Sequence, residues 1–255
     1  MGSMLYPRRH YGIAAAAAFL VVATMAFALW WRSPRADLSP WLAGPPPAGW
    51  ASRVRQEEKW RAEGVQRHVD HEYRPLAAIS IELQLAVLVS EDIDFFGHGA
   101  LDVRALWQAI DEWRHGGRLR GASTITQQLA KTLFLSPERS LRRKLEEIRL
   151  AWWLEHDLGK PRILELYLNV VEFGPGALGA QAAARRYFAV DAGDLTPGQA
   201  AGLAAAIPSP GRDNAATATR RWATRRSLIL GRMRRAIWLR HRLERMPGAV
   251  GREAG

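Results

Sequence analysis

The 255-residue chain contains no cysteine, which excludes disulfide bonds, thiolate metal ligands and thiol redox chemistry. Lysine is also scarce and occurs at only four positions: Lys59, Lys131, Lys144 and Lys160. The formal net charge of +11 therefore comes mainly from arginine, whose planar guanidinium suits phosphate groups and anionic lipid headgroups. Because the arginines are scattered along the chain, charge alone does not separate a nucleic-acid binder from a membrane-surface protein.

Strict alternation of apolar and polar residues, the pattern of a half-buried strand, is rare as well. Apolar residues instead recur at helical spacing in segment after segment. Breaks between these segments are marked by Gly159 with Pro161 and by Thr196 with Pro197. The pattern predicts a mainly α-helical domain.

One long apolar run, GIAAAAAFLVVATMAFALWW, occupies residues 12–31 and carries no charge. A helix of about 20 residues crosses a hydrocarbon core of about 30 Å, and tryptophans at its end suit the membrane interface. We predict a single transmembrane anchor over 12–31, after a short cytoplasmic N-terminus over 1–11. The triplet Ala26-Phe27-Ala28 leaves a cleaved signal peptide as the alternative.

Composition divides the rest of the chain into three parts. Residues 32–74 hold a proline-rich juxtamembrane linker and a polar approach helix, residues 75–243 the folded domain, and residues 244–255 a flexible tail. A chain of this length accommodates one such core and an anchor, and is too short for a second large domain.

The densest group of polar side chains lies in GASTITQQLAKTLFLSPERSLRRKLEEIRLAWWLE at residues 121–155. Thr124 is followed three residues later by a glutamine, which is the spacing of a capped helix start. The apolar residues of Ile125–Leu133 keep helical spacing, so the polar residues between them fall on the flank or the opposite face. These polar residues are Gln127, Gln128 and Lys131, and Lys131 can point into a cleft.

The second half of that segment predicts another amphipathic helix. Its apolar residues Leu141, Leu145, Ile148 and Trp152 leave three charged residues side by side on the other face: Arg143, Lys144 and Glu147. A carboxylate among cations suits a polyanionic substrate. A solvated helix face with ordinary ion pairs is the alternative.

A further group of polar residues lies in AVLVSEDIDFFGHGALD at residues 86–102. An apolar run ends there in Glu91 and Asp92, and desolvation at such a point raises the pKa of a carboxyl toward the range of a general base. An exposed acidic pair is the alternative. His98 follows in a glycine-bearing turn, and we predict that its ring braces the loop beside Glu91. No second histidine stands at metal-ligand spacing.

Four motifs in this order resemble the peptidoglycan glycosyltransferases, and among them the monofunctional biosynthetic transglycosylases. The resemblance covers roughly residues 76–210 and implies a lysozyme-like glycosyltransferase domain. The four motifs are SED with Phe95 and His98, GASTITQQLAK at 121–131, RSLRRKLEE at 139–147, and ILELYLNVVEFGPGALGAQAAARRYF at 163–188.

The resemblance implies an enzyme that polymerises lipid II into glycan strands for cell wall biogenesis, without a transpeptidase domain. Glu91 would deprotonate the 4-hydroxyl of the acceptor sugar, which attacks the growing chain with inversion and expels polyprenyl diphosphate. Glu147 would be the second catalytic carboxylate, orienting cations or a metal or assisting departure. The implied substrate-binding residues are Ser123, Thr124, Gln127, Gln128, Lys131, Arg139, Arg143 and Lys144, and the structural residues near the site are Asp92, Phe95 and His98.

The resemblance also implies a place in the cytoplasmic (inner) membrane, with the catalytic domain on the periplasmic or outer side. The expected partners are lipid II, the growing polyprenyl-diphosphate-linked glycan, the membrane and proteins of a cell-wall synthesis complex, but no nucleic acid. We expect no cofactor and no dedicated metal site, with a divalent cation as a stimulant at most.

Three residues depart from the family pattern: Asp94, Ala100 and Thr132. Asp94 reverses a charge next to the proposed base and is expected to lower activity or shift its pH optimum. Two other functions stay open at this point. One is a lysozyme-like hydrolase, which also needs two carboxylates, and the other is an arginine-rich membrane scaffold.

Overall fold

The computed structural model describes residues 20–22, 24–25, 28, 30–32, 36–66, 69–116, 123–138 and 140–246. The chain forms two units, residues 1–37 and residues 38–255. Among the described residues, no helix combines the length and the apolar character needed to cross a membrane. Most of the anchor predicted at 12–31, all of the N-terminus over 1–11 and the tail from 247 onward lie outside the described residues.

The second unit is mainly helical in its described part, which confirms the predicted class. Its α-helices are α1 Ala51–Ala62, α2 Ile81–Glu91, α3 Val103–Arg114, α4 Ile125–Phe134, α5 Leu141–Val170, α6 Ala180–Phe188, α7 Pro197–Ala206, α8 Arg220–Arg235 and α9 Ile237–Glu244. Short 3₁₀ turns lie at Ser39–Trp41, Leu76–Ala78 and Ala192–Asp194. Two short antiparallel strands, β1 Glu172–Gly174 and β2 Ala177–Leu178, form a hairpin after α5.

Helix α2 lies at the centre of this unit. It begins at Ser80, whose hydroxyl accepts a hydrogen bond from the Leu83 amide at 3.2 Å, and its residues 83–89 are all buried. A helix that is apolar all round is stable only inside a core, and α2 is covered by α7, α8 and α9. The last residue of this buried helix is Glu91, so the fold delivers a carboxyl group to the end of its central element.

Helix α5 is interrupted where the sequence predicts a break. Gly159 has φ +71° and ψ 161°, outside the helical region, and Pro161 follows two residues later. Helix α5 packs against α4, and most residues of its second part, from Ile163 onward, are buried. The two parts of α5, joined at Gly159, therefore carry the charged face around residue 144 and a core segment.

The approach segment differs from its prediction after residue 62. Helix α1 ends there, and the following chain pairs with the hairpin: the Asp70 amide donates to the Gly176 carbonyl at 3.0 Å, and the Leu178 amide donates to the Asp70 carbonyl at 3.1 Å. Helix α1 itself packs against α4. Contacts therefore group this segment with the rest of residues 38–255.

The hairpin returns to the end of α5 through Gly179. Its φ is +85°, and its amide donates to the Val171 carbonyl at 2.9 Å. A Cβ atom at this position would lie 2.4 Å from the Asn169 carbonyl oxygen. The Asn169 side chain meanwhile bonds both backbone groups of Arg74, each at 2.8 Å. This close approach requires glycine for two reasons, the positive φ and the lack of space.

We expect Gly179→Ala to destabilise the protein by about 2–5 kcal/mol, because backbone strain and steric overlap add together. Gly44→Ala is the matched control, since Gly44 also has a positive φ of +72° but no atom within 4 Å of the place that a Cβ would occupy. Thermal melting of the full chain in detergent measures both. Equal losses for the two variants would show that crowding at the Asn169 carbonyl is unimportant.

Candidate active site

Glu91 is held by three donors at the end of α2. Its Oε1 accepts from the Ser90 hydroxyl at 2.9 Å and from Arg225 Nη2 at 2.8 Å, and its Oε2 accepts from Gln128 Nε2 at 3.2 Å. The side chain is 11% exposed. The surroundings of this carboxyl therefore differ from the apolar ones predicted. A cation and two neutral donors face it, because α4 and α8 both reach the end of α2.

The amide of Gln128 has a defined orientation. The hydroxyl of Tyr167 donates to Gln128 Oε1 at 2.8 Å, so the amide nitrogen of Gln128 turns toward Glu91. Burial raises the pKa of Tyr167 well above its ordinary value, with the charges of Glu91 and Asp92 acting in the same direction. The phenol therefore keeps its proton and stays a donor.

Tyr167 and Arg225 are site residues that the sequence pattern does not single out. Tyr167 belongs to the ILELYLN motif, so the motif was an available signal. Arg225 lies in a helix that contains seven arginines, and nothing in the sequence separates it from its neighbours. Arg225 and Glu91 are 134 residues apart in the sequence, so no local pattern predicts their contact.

Asp92 and His98 connect the loop after α2 to the start of α4. Asp92 Oδ1 lies 2.7 Å from His98 Nε2, and Asp92 Oδ2 accepts from the Ile125 amide at 2.9 Å. His98 Nδ1 faces the Gly99 carbonyl at 2.7 Å, so both ring nitrogens face acceptors. Burial by itself lowers the pKa of His98, but the hydrogen bonds and charge of Asp92, with the Gly99 carbonyl, raise it overall.

Glu147 lies buried beneath two cations of the same helix. Its Oε2 accepts from Arg143 Nη1 at 2.8 Å and its Oε1 from Lys144 Nζ at 2.6 Å, and the side chain is 4% exposed. Lys144 Nζ also donates to Gln127 Oε1 at 2.7 Å and to the exposed Ser123 hydroxyl at 3.2 Å. Both oxygens of Glu147 are thus engaged, and the pair of cations is held in a fixed position.

Thr124 and Gln127 are buried, and this corrects the placement of Gln127 on the flank or the opposite face of α4. The Thr124 hydroxyl accepts from the Gln127 amide at 3.2 Å, as the capping pattern predicts, and donates to the Ala100 carbonyl at 3.0 Å. Gln127 Nε2 donates to the same carbonyl at 2.8 Å. The loop that contains Ala100 covers the face of α4 on which Thr124 and Gln127 lie. Because Ala100 contributes a backbone oxygen, its departure from the family pattern leaves these bonds intact.

Two cavities are lined by residues of this network. The first, which we call the Glu91 cavity, has a volume of about 260 Å³ and is lined by residues that include Ser90, Glu91, Asp92, Ser123, Thr124 and Arg232. The second, the cation cavity, has a volume of about 380 Å³, and its lining includes Arg55, Gln128, Lys131, Thr132, Arg143 and Tyr167. Gln128 lines the second cavity and donates to the carboxylate of Glu91, which lines the first.

Lys131 stands in the wall of the cation cavity. Desolvation lowers the pKa of its ammonium group; Arg143 and Lys144 act in the same direction, whereas Glu147 and Glu91 oppose them. Cations placed this close repel one another, and a bound polyanion would relieve that repulsion. Arg139, the other cation predicted to bind here, lies outside the described residues.

Phe95 is fully buried, and the Lys160 ammonium nitrogen lies 4.3 Å from its ring centroid. The exposed Asp94, which departs from the family pattern, has Arg104 Nη1 3.8 Å from its Oδ2. In the described part of the chain, no group of three or more histidine, aspartate or glutamate side chains is arranged to hold a metal ion.

Comparison with known proteins places most of the chain in one family. A family profile described as Transglycosylase matches residues 58–234, which include Glu91, Lys131, Glu147 and Arg225. Three similar proteins are all named biosynthetic peptidoglycan transglycosylase. The Ralstonia nicotianae protein is 52% identical over 146 residues, which cover 56% of this chain and 61% of the relative.

The Cupriavidus pinatubonensis protein is 48% identical over 157 residues, covering 60% of this chain and 62% of the relative. The Bordetella avium protein is 39% identical over 199 residues, covering 76% of this chain and 83% of the relative. The chain thus spans about three fifths of the length of the first two relatives.

The position of His98 between two acceptors predicts a pH-dependent stability. Its pKa is raised in the folded state, so its contribution is fully present below the unfolded value near 6.5 and is lost as pH rises through the folded value. We expect His98→Gln to cost about 1–3 kcal/mol at pH 6 and progressively less at higher pH. Melting temperatures of both proteins between pH 5.5 and 9 measure this.

The matched control is His115→Gln, because His115 is exposed on the surface just after α3, with its Nδ1 2.8 Å from the Asp111 carbonyl and 3.7 Å from the Asp111 carboxylate. Its melting temperature should follow that of the parent protein at every pH. If the difference for His98→Gln stayed constant across this range, the imidazolium would not be the species that links the loop to α4.

Proposed function

The chain belongs to the transglycosylase family, and from this we propose that it is a peptidoglycan glycosyltransferase that polymerises lipid II into glycan strands. One observation carries the proposal: Gln128 joins a fixed carboxylate, Glu91, to a cavity walled by Lys131, Arg143 and Arg55. A base beside a cationic leaving-group site is what sugar transfer from a lipid diphosphate requires. The names of the relatives agree with it.

In the proposed reaction, Glu91 accepts the proton of the acceptor sugar's 4-hydroxyl. The hydroxyl oxygen forms a bond to the anomeric carbon of the growing chain as the bond from that carbon to the diphosphate oxygen breaks, with inversion. The contacts of Arg225 and Gln128 orient the two carboxylate oxygens before substrate arrives, which removes rotational freedom from the base.

The departing diphosphate gains negative charge as its bond breaks. Lys131 and Arg143, with Arg139 and Lys144 as further cations, would stabilise that charge, and such electrostatic stabilisation often lowers the barrier more than any other effect. We assign Glu147 the positioning of Arg143 and Lys144, since both its oxygens are bonded to them. Ser123 and Gln128 would contact substrate, whereas Thr124 and Gln127 would support the loop at Ala100.

A membrane location is part of the proposal, because the substrate is a lipid. Its support is the uncharged run at residues 12–31 and the cell-wall activity in the names of the relatives. We propose a single crossing of the cytoplasmic (inner) membrane, with residues 38–255 on the outer side. Association with a cell-wall synthesis complex and stimulation by a divalent cation remain predictions from the resemblance.

Glu91→Gln should lower lipid II polymerisation by about 10²–10⁴-fold, because a glutamine cannot accept the proton. The measurement is glycan strand formation from lipid II by the purified full chain in detergent. Glu82→Gln is the matched control: it also replaces an arginine-paired carboxylate on α2, bonded to Arg240 at 2.8 Å, away from both cavities.

Glu82→Gln should polymerise at a rate near that of the parent protein. If a correctly folded Glu91→Gln variant polymerised lipid II at a rate near that of the parent protein, Glu91 would not be the base. Release of fragments from finished cell wall, with no strands formed from lipid II, would instead favour the hydrolase.

Lys131→Ala should weaken binding of farnesyl diphosphate by about 10-fold or more while leaving a neutral disaccharide nearly unaffected, because it removes a charge-assisted contact. Lys59→Ala is the control, since Lys59 is exposed on α1 and pairs loosely with Glu63 at 3.9 Å. Calorimetric titration measures each affinity. Equal losses for the charged and neutral ligands would contradict a diphosphate site at Lys131.

A further inference from the structure

Helix α1 precedes all four sequence motifs, yet it forms one wall of the cation cavity. Ser52, Arg55 and Gln56 line the cavity from α1, opposite residues of α4 and α5. Arg55 Nη1 donates to the Leu135 carbonyl at 2.7 Å, directly after the helix that carries Lys131. This bond fixes the guanidinium of Arg55 beside the motif cations.

Two buried polar atoms of this cavity have no hydrogen-bond partner among the described residues. They are the Ser52 hydroxyl oxygen and Arg143 Nε, and they come from different walls of the same cavity. An unpaired buried donor is costly, and a ligand that accepts a hydrogen bond from it offsets that cost. Both groups can donate hydrogen bonds, so an acceptor would satisfy both.

The charges around the cavity indicate that this acceptor carries a negative charge. Among the described residues, three cations line the cavity, Arg55, Lys131 and Arg143, against one carboxylate, Glu172. Burial lowers the pKa of Arg55 and Lys131 and raises the pKa of Glu172. Desolvation therefore acts against these charges, and a multivalent anion would offset its cost for Arg55 and Lys131.

An apolar part of the lining comes from the end of α5, the hairpin and the segment after α7. Its residues are Val170, Val171, Leu178, Ile207 and Pro210. A ligand that carries two phosphates and an adjoining apolar chain matches both parts of this lining.

We propose that Arg55 and Ser52 of α1 form a third arm of the anion site, in addition to Lys131 of α4 and Arg143 of α5. All four residues would contact the diphosphate of a prenyl diphosphate. The proposal rests on the proposed function, because the ligand is that reaction's leaving group. It adds to that function two binding residues from a helix outside the four motifs, and a prenyl contact on the apolar lining.

The test uses the purified full chain in detergent and two probes, inorganic diphosphate and farnesyl diphosphate. Arg55→Gln removes the charge and keeps a polar amide at this position of α1. We expect about 10-fold weaker binding of both probes for Arg55→Gln and about 3-fold weaker binding for Ser52→Ala, the losses of a charged and a neutral hydrogen bond.

Arg53→Gln is the matched control, because Arg53 lies on the same helix, pairs with Glu57 at 3.0 Å and does not line the cavity. It should bind both probes as the parent protein does. Arg55→Lys, which keeps the charge, should recover part of the affinity. It replaces Arg55→Gln as the test if Arg55→Gln has a much lower melting temperature than the parent protein. Equal affinities for Arg55→Gln and Arg53→Gln would overturn the proposal.

Lys131→Ala separates this proposal from the one on which it rests. If Lys131→Ala loses affinity while Arg55→Gln does not, the third arm is absent and the proposed function stands. If neither variant loses affinity, the diphosphate site itself is wrong. Tighter binding of farnesyl diphosphate than of inorganic diphosphate supports the prenyl contact, and equal binding overturns that part.

Discussion

The contact between Glu91 and Gln128 is the interaction on which the arrangement of the site depends. Glu91 ends the buried helix α2, Gln128 lies on α4, and Tyr167 at the far end of α5 sets the direction of the Gln128 amide. A chain of hydrogen bonds thus links three helices to one carboxylate oxygen, while Arg225 from α8 and Ser90 donate to the other. A shift of any of these helices would change the direction of the proposed base, so packing and chemistry are coupled here.

The polar residues of the STITQQ segment have two separate roles. Thr124 and Gln127 hold the Ala100 carbonyl, and the start of α4 is bonded to Asp92, so these contacts fix α4 against the loop that follows Glu91. Gln128 and Lys131, on the same helix, line the cation cavity. A helix that is anchored at its buried face can present the other face to substrate without losing rigidity.

The concentrated positive charge of the cation cavity destabilises the folded protein when no ligand is bound. Glu147 compensates Arg143 and Lys144 from below, where it is shielded from water, and leaves the cavity side of this cluster positive. Partly buried charges of this kind cost free energy unless they are paired, and here Glu147 pairs with them on only one side. The cluster is therefore better explained by an anionic ligand than by stability.

Much of this protein follows from sequence alone: the helical class, the break at Gly159, the cap at Thr124 and the adjacency of Arg143, Lys144 and Glu147 depend on residues within one or two turns. Local spacing determines such features because helix geometry repeats every 3.6 residues. Only the tertiary structure decided that Gln127 is buried, that Arg225 reaches Glu91 and that α1 walls the cation cavity. Those contacts join residues far apart in the chain, and which helix faces meet depends on how the whole core packs.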